Sequence, residues 1–379
     1  MNQMQCPEQE NTLKPAAVED NPVFSTPLQI LHHRRTELTY VRTGIDLIDR
    51  NVRGLQRSGL SIWSGLRGSA KSTLLSQILL NTVEDGNKAM LYSGEVTAEN
   101  AMEWLYRQCA GPSFCYPTDY ECYFTTTYET KDAIARWLEG KLFIYNNDYG
   151  HDFARIAAAI DVFVQTHQLD IIVLDNLMSL DIQHISQGNW REWAEIQAQT
   201  RFIQICKRIA ERYDCHIAIV CHPRKAAGFL RLDDVSGSGN LTNAADECFI
   251  VHRVDEDFRR LSRQMFGFEE DALIYQCDNV CEVAKDKQNG TRDLFIPLYF
   301  EVATKRLKNS RDENRTYSWN STGGVLSTKP QDLHAEPAQA AGQGTFQEVN
   351  QAYSRKKHSG AGDSLFGDVS IRRKVAGIF

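Results

Sequence analysis

Residues 65 to 73, GLRGSAKST, constrain this chain more than any other stretch. They follow the apolar run Leu60, Ile62, Trp63 and precede Leu74, Leu75, Ile78 and Leu79 at helical spacing, which sets them between a strand and a helix. Gly65 and Gly68 let the backbone fold into a concave nest whose N–H groups, at the positive end of the following helix, suit phosphate oxygens. The pattern is that of a nucleoside-triphosphate phosphate loop, with Gly65, Gly68, Ser69, Ala70, Lys71, Ser72 and Thr73 as nucleotide-binding residues. Lys71 is expected to reach the β- and γ-phosphates of ATP or another NTP, and Ser72 to hold Mg²⁺. Ala70 stands where the pattern G-x-x-x-x-G-K-[ST] has its second glycine. Alanine tolerates a right-handed or bridge conformation there, whereas a position requiring positive φ would be strained.

At 379 residues the chain has room for two domains, or for one large α/β ATPase with tails. No apolar run approaches the roughly 18 residues of a membrane span, and no membrane partner is expected. The amino-terminal stretch is polar and acidic and carries no arginine before Arg34, so neither a secretory nor a mitochondrial leader is expected and the cytoplasm is the default location. Ten cysteines without a C-x-x-C pair read as reduced thiols rather than as disulfides or a zinc site. A formal net charge of −7 argues against a broad basic nucleic-acid face. It leaves room for a ring that threads a strand past a few basic inner loops.

Composition divides the chain into a polar tail at 1–24, expected to be disordered, a linker or oligomerisation segment at 25–42, an ATPase domain at 43–325 and a disordered tail at 326–379. The last stretch, DSLFGDVSIRRKVAGIF, regains apolar residues between charges and is a candidate partner motif. Within the domain, TGIDLIDR reads as a turn-rich lead-in, and AMLYSGE (89 to 95), LFIYNND (142 to 148), DIIVLDNL (170 to 177), HIAIVCH (216 to 222) and FIVHRV as strands. Helical spacing covers 97–108, 131–138, 151–167 and the stripe Trp193, Ile196, Thr200, Ile203, Cys206, Ala210. Residues 111–130 receive no assignment. The charged segment 254–279 reads as an irregular peripheral insertion, and VCEVAKDKQNG with FIPLYFEVATKRL as a terminal β-hairpin around Asn289-Gly290. Alternating strands and helices predict an α/β fold, a mostly parallel sheet with helices on both faces.

In such sheets ligands lie beyond the carboxyl ends of the strands. Asp175 closes DIIVLD and is expected to hold a Mg²⁺-bound water; Glu95 closes AMLYSGE and is a candidate to polarise the attacking water. His222 closes HIAIVCH and is placed to donate to the γ-phosphate while coupling to the loop behind it. Two loops, one with Arg224, Lys225 and Arg231, the other from Ser236 through Gly237, Ser238 and Gly239 to Asn240, could contact a nucleic-acid backbone.

With these residues placed, the chain from about Thr43 to Leu307 resembles the helicase domain of the ring-shaped replicative helicases: DnaB, Twinkle and the primase-helicases of T-odd phages. Five motifs stand in the family's order: the phosphate loop, SGE with Glu95, LDNL with Asp175, CHPRK with His222, and DDVSGSGNLTNAADE before a strand ending in Arg253. The resemblance implies a RecA-like core and a hexameric DNA helicase moving 5′ to 3′ on single-stranded DNA, with nucleotide sites between subunits and a primase, polymerase or single-strand-binding protein as partner. It implies that Glu95 activates water, that His222 senses the γ-phosphate, and that Arg224, Lys225 and the Gly237 to Asn240 loop line a central channel. It further implies that Lys285 and Lys287 reach a neighbour's site, Lys287 standing where the family has arginine. A recombinase-like strand-assembly ATPase and a low-turnover nucleotide-binding scaffold are the alternatives; Ala70 and Lys287 keep the second in view.

Overall fold

The computed structural model describes residues 26–28, 39–120, 122–176, 191–223, 228–235 and 239–320. The expected tails, 1–24 and 326–379, therefore lie outside the described residues, as do 29–38 of the segment 25–42. The chain separates into two units, Met1–Thr39 and Tyr40–Phe379, and the second holds every element named below.

β1 (Tyr40–Val41), α1 (Asp46–Val52) and β2 (Leu55–Gln56) lead into β3 (Leu60–Ser64), the phosphate loop and α2 (Lys71–Glu84). Then come β4 (Ala89–Ser93), α3 (Ala98–Ala110), the ribbon β5 (Tyr116–Pro117) and β6 (Phe124–Thr125), α4 (Tyr128–Leu138) and β7 (Leu142–Ile144). α5 (Phe153–His167), β8 (Ile171–Asp175), α6 (Arg191–Tyr213), β9 (His216–Val220), α7 (Gly239–Ala244) and β10 (Glu247–Arg253) complete the alternation. α8 (Glu256–Phe266), β11 (Asn279–Asp286), β12 (Leu294–Glu301) and β13 (Arg306–Lys308) follow.

The nine-stranded sheet runs β13-β12-β11-β10-β3-β9-β8-β4-β7. From β10 to β7 every neighbour is parallel, and β11, β12 and β13 join antiparallel. Side chains alternate across a strand, so a strand apolar at every position must be covered on both faces. β8 does this: Ile171 and Val173 enter one core, Ile172 and Leu174 the other. The first core holds Leu74, Leu75, Ile78, Leu105 and Ile134 of α2, α3 and α4, and the second holds Ile156 and Ile160 of α5 and Phe202, Ile203 and Cys206 of α6. Helix starts are fixed locally. The side chains of Thr97, Thr127 and Asp152 accept from the backbone N–H groups of Asn100, Thr130 and Arg155.

The expected mostly parallel, RecA-like sheet is present, three local expectations change and one unassigned stretch is filled in. TGIDLIDR, read as a turn-rich lead-in, carries the start of α1 from Asp46 onward. The unassigned stretch 111–130 folds into the β5–β6 ribbon ahead of α4. FIPLYFEVATKRL divides into β12 and β13 at a turn whose Lys305 has φ 57°. The segment 254–279 is not irregular: Asp255 caps α8, and Phe258, Phe268, Ile274 and Tyr275 pack with Val280 and Phe295. Those last two face away from the first core, so the segment covers sheet surface that would otherwise meet water.

Candidate active site

The order β3-β9-β8-β4 sets four strand ends side by side. Backbone-directed bonds keep them level. The Ser64 hydroxyl donates to the Cys221 carbonyl at 2.8 Å, and Gly94 N–H donates to the Asp175 carbonyl at 2.7 Å.

Gly65 has φ 153°, and a Cβ built there would stand 2.3 Å from the Val251 carbonyl oxygen, so a side chain does not fit. Ala70 has φ 70° and ψ 27° at the entry to α2. It adopts the left-handed conformation, which costs a non-glycine residue about 1–2 kcal/mol, and not the right-handed or bridge geometry that alanine tolerates. Asn279, the first residue of β11, braces the loop by donating from Nδ2 to the Ser69 carbonyl at 3.0 Å. Ser72 and Thr73 lie in the first turn of α2.

Lys71 donates from Nζ to the carbonyls of Gly65 (2.8 Å) and Leu66 (2.9 Å). It is 6% exposed, and burial lowers its pKa against the opposing pull of Asp175 and Glu95. Asp175, equally buried, moves the other way. Burial raises its pKa, a hydrogen bond from the Ser72 hydroxyl lowers it, Glu95 adds to the rise, and Lys71 and His222 oppose it. A hydroxyl bonded to a carboxylate beside a phosphate loop is the hard-oxygen donor set that Mg²⁺ takes alongside water and phosphate, so the residues present fit the ion.

Glu95 and His222 meet across the sheet, Nε2 lying 2.8 Å from Oε1. Asn176, buried next to Asp175, donates from Nδ2 to the same Glu95 oxygen and lies 2.8 Å from His222 Nε2. Asn176 is not among the residues expected from sequence, although its place directly after a strand-ending aspartate is a usable signal. Nor is Asn147, whose Nδ2 donates to the Ser93 carbonyl at 3.0 Å and steadies the turn that carries Glu95.

Pro223 and Val235 form an isolated antiparallel bridge that closes the base of the segment after β9. Arg224, Lys225, Gly237 and Ser238 lie outside the described residues, and Gly239 and Asn240 open α7. Arg231 is engaged within the chain. Its guanidinium lies 3.0 Å from Asp293, 3.7 Å from Glu282 and 4.9 Å from the centre of the Phe266 ring.

Lys285 and Lys287 stand apart from this cluster. The pairs Arg253↔Asn279 and Glu247↔Asp286 carry β11 away from the loop, so both lysines lie at the opposite edge of the sheet, roughly 20 Å off by strand rise. Lys285 donates to the carbonyls of Thr242 and Ala245, both at 2.8 Å, at the carboxyl end of α7. Lys287 is largely exposed and 3.9 Å from Asp246.

Residues 41–228 match the family model described as AAA domain. The Twinkle homolog protein, chloroplastic/mitochondrial, of Arabidopsis thaliana is 25% identical over 228 residues, an alignment covering 56% of this chain and 30% of that protein. The chain thus spans under a third of that relative's length. Among solved structures, one described as an ATPase domain superposes with a TM-score of 0.57 at 14% identity, over 75% of this chain and 96% of that one. A DnaB-like replicative helicase, described together with its interactions with primase, gives 0.56 at 13% identity, over 74% of this chain and 64% of that one. At such identities these two likenesses are of fold.

Proposed function

The chain carries a DnaB/Twinkle-like helicase domain, and on that premise we propose that it is an NTP-driven 5′ to 3′ DNA helicase, a ring, hexameric by its resemblance, that translocates on single-stranded DNA in replication. The observation that carries the reading is the meeting of Lys71, Asp175, Glu95 and His222 at four neighbouring strand ends. Lys71 and the loop N–H groups take the β- and γ-phosphates. Ser72 would hold Mg²⁺ and Asp175 a water bound to it, the ion supplying positive charge beside the phosphates. Glu95 orients the attacking water and takes its proton. His222 links the γ-phosphate to the segment after β9, where Arg224 and Lys225, with Gly237 to Asn240, contact the strand backbone. Arg231, already paired, serves that segment as an anchor. Lys285 and Lys287, remote from their own loop, serve a neighbouring copy. The remaining partners are a primase, polymerase or single-strand-binding protein.

The test is ATP-dependent unwinding of forked DNA with a 5′ or a 3′ loading tail, hydrolysis being followed in the same samples. Unwinding from the 5′ tail alone is expected. Hydrolysis without unwinding would favour a recombinase-like ATPase. Absence of hydrolysis would favour the low-turnover scaffold, the reading supported by the left-handed Ala70 and by the engagement of Lys285 within its own chain.

A further inference from the structure

We propose that Asn176 is a positioning residue of the hydrolysis site, holding Glu95 in place whichever way the His222 imidazole carries its proton; the inference rests on the role given to Glu95 above. Three polar atoms converge: Asn176 Nδ2, His222 Nε2 and Glu95 Oε1, with His222 Nε2 at 2.8 Å from each of the others. A carboxylate oxygen accepts, an amide nitrogen donates two protons, and an imidazole nitrogen does either according to its tautomer.

When His222 Nε2 bears a proton, His222 and Asn176 both donate to Glu95 Oε1. When Nε2 is bare, its one lone pair accepts an N–H of the Asn176 amide, whose other N–H goes to Glu95. Glu95 therefore keeps a donor in both states. His222 can direct a proton toward a phosphate without releasing the carboxylate that orients the water. Asn176 is 2% exposed, so its amide donates from a fixed, buried position to a Glu95 side chain that is itself about half exposed. A serine there would offer one proton, and an ionised aspartate none.

The experiment measures steady-state single-strand-stimulated hydrolysis for wild type, Glu95→Gln, Asn176→Ala, Asn176→Asp and each Asn176 variant paired with Glu95→Gln. Nucleotide KM is measured alongside. Both single Asn176 variants are expected to lose about tenfold or more in kcat, with KM held within about twofold. In the Glu95→Gln background Asn176→Ala is expected to change nothing further, since the two act as a unit. Near-wild-type kcat in the Asn176 variants would overturn the proposal, and so would an equal loss in both backgrounds. Should Asn176→Ala fail to fold, Asn176→Asp, of the same size, carries the same comparison. Failure of the underlying reading is distinguishable, because Glu95→Gln alone would then hydrolyse like wild type, and the proposal would fall with it.

Discussion

Ala70 opens α2 in a conformation that glycine adopts freely. Ala70→Gly is expected to stabilise the protein by about 0.5–1 kcal/mol, the relief of left-handed strain less the added freedom of the unfolded chain. Ala70→Val should move stability the other way; denaturant midpoints of the two variants check the sign. His216 makes a pH prediction. Its ring is wholly buried, Nδ1 at 2.8 Å from the Gln56 carbonyl and Nε2 at 2.7 Å from the Ser61 hydroxyl, and burial pushes its pKa down to about 4. Above pH about 6.5 the ring is neutral whether folded or unfolded. Between there and pH 4 the unfolded chain binds a proton that the folded one refuses, so stability falls as pH falls, by about 3 kcal/mol in all. The loss of unfolding free energy between pH 7 and 4 should be smaller by about that amount in His216→Gln, whose titrating ring is gone.

At the scale of elements, β-branched runs such as Ile171 to Leu174 declared the buried strands, because a strand covered on both faces has no polar position to blur the pattern. The start of the helix read from residue 97 was legible for an equally local reason, the Thr97 side chain capping it. α8 was illegible because its charges sit among the aromatic residues that pack it. Arg259, Arg260 and Arg263 share the helix with Phe258 and Phe266, and what Phe258 meets comes from Phe229, 29 positions earlier, and from Tyr275. Phe258→Ala is accordingly expected to destabilise the protein by about 3 kcal/mol, as for a buried aromatic. A shift below about 1 kcal/mol in chemical denaturation would return 254–279 to a peripheral insertion.

Across the whole molecule, the residues that meet at the candidate site were readable because ligand-facing residues of a parallel sheet collect at the carboxyl ends of its strands, and each of Glu95, Asp175 and His222 closes an apolar run. Asn279 was not readable: it reaches Ser69 from the beginning of an antiparallel strand, where nothing in the local pattern marks it. The opposite edge makes the last prediction. Asp246 there accepts from the Leu60 N–H at 2.9 Å, pairs with Lys207, and has Lys287 at 3.9 Å. On the proposed reading, a cation so far from its own phosphate loop acts on hydrolysis through a second copy. Arginine would add the planar fork that lysine lacks, so Lys287→Arg should raise single-strand-stimulated hydrolysis several-fold. The gain should appear where sedimentation shows assembled chains and vanish on dilution to monomers. An equal gain at every concentration would mean that Lys287 acts within its own chain, and no gain at all would leave it as a partner of Asp246.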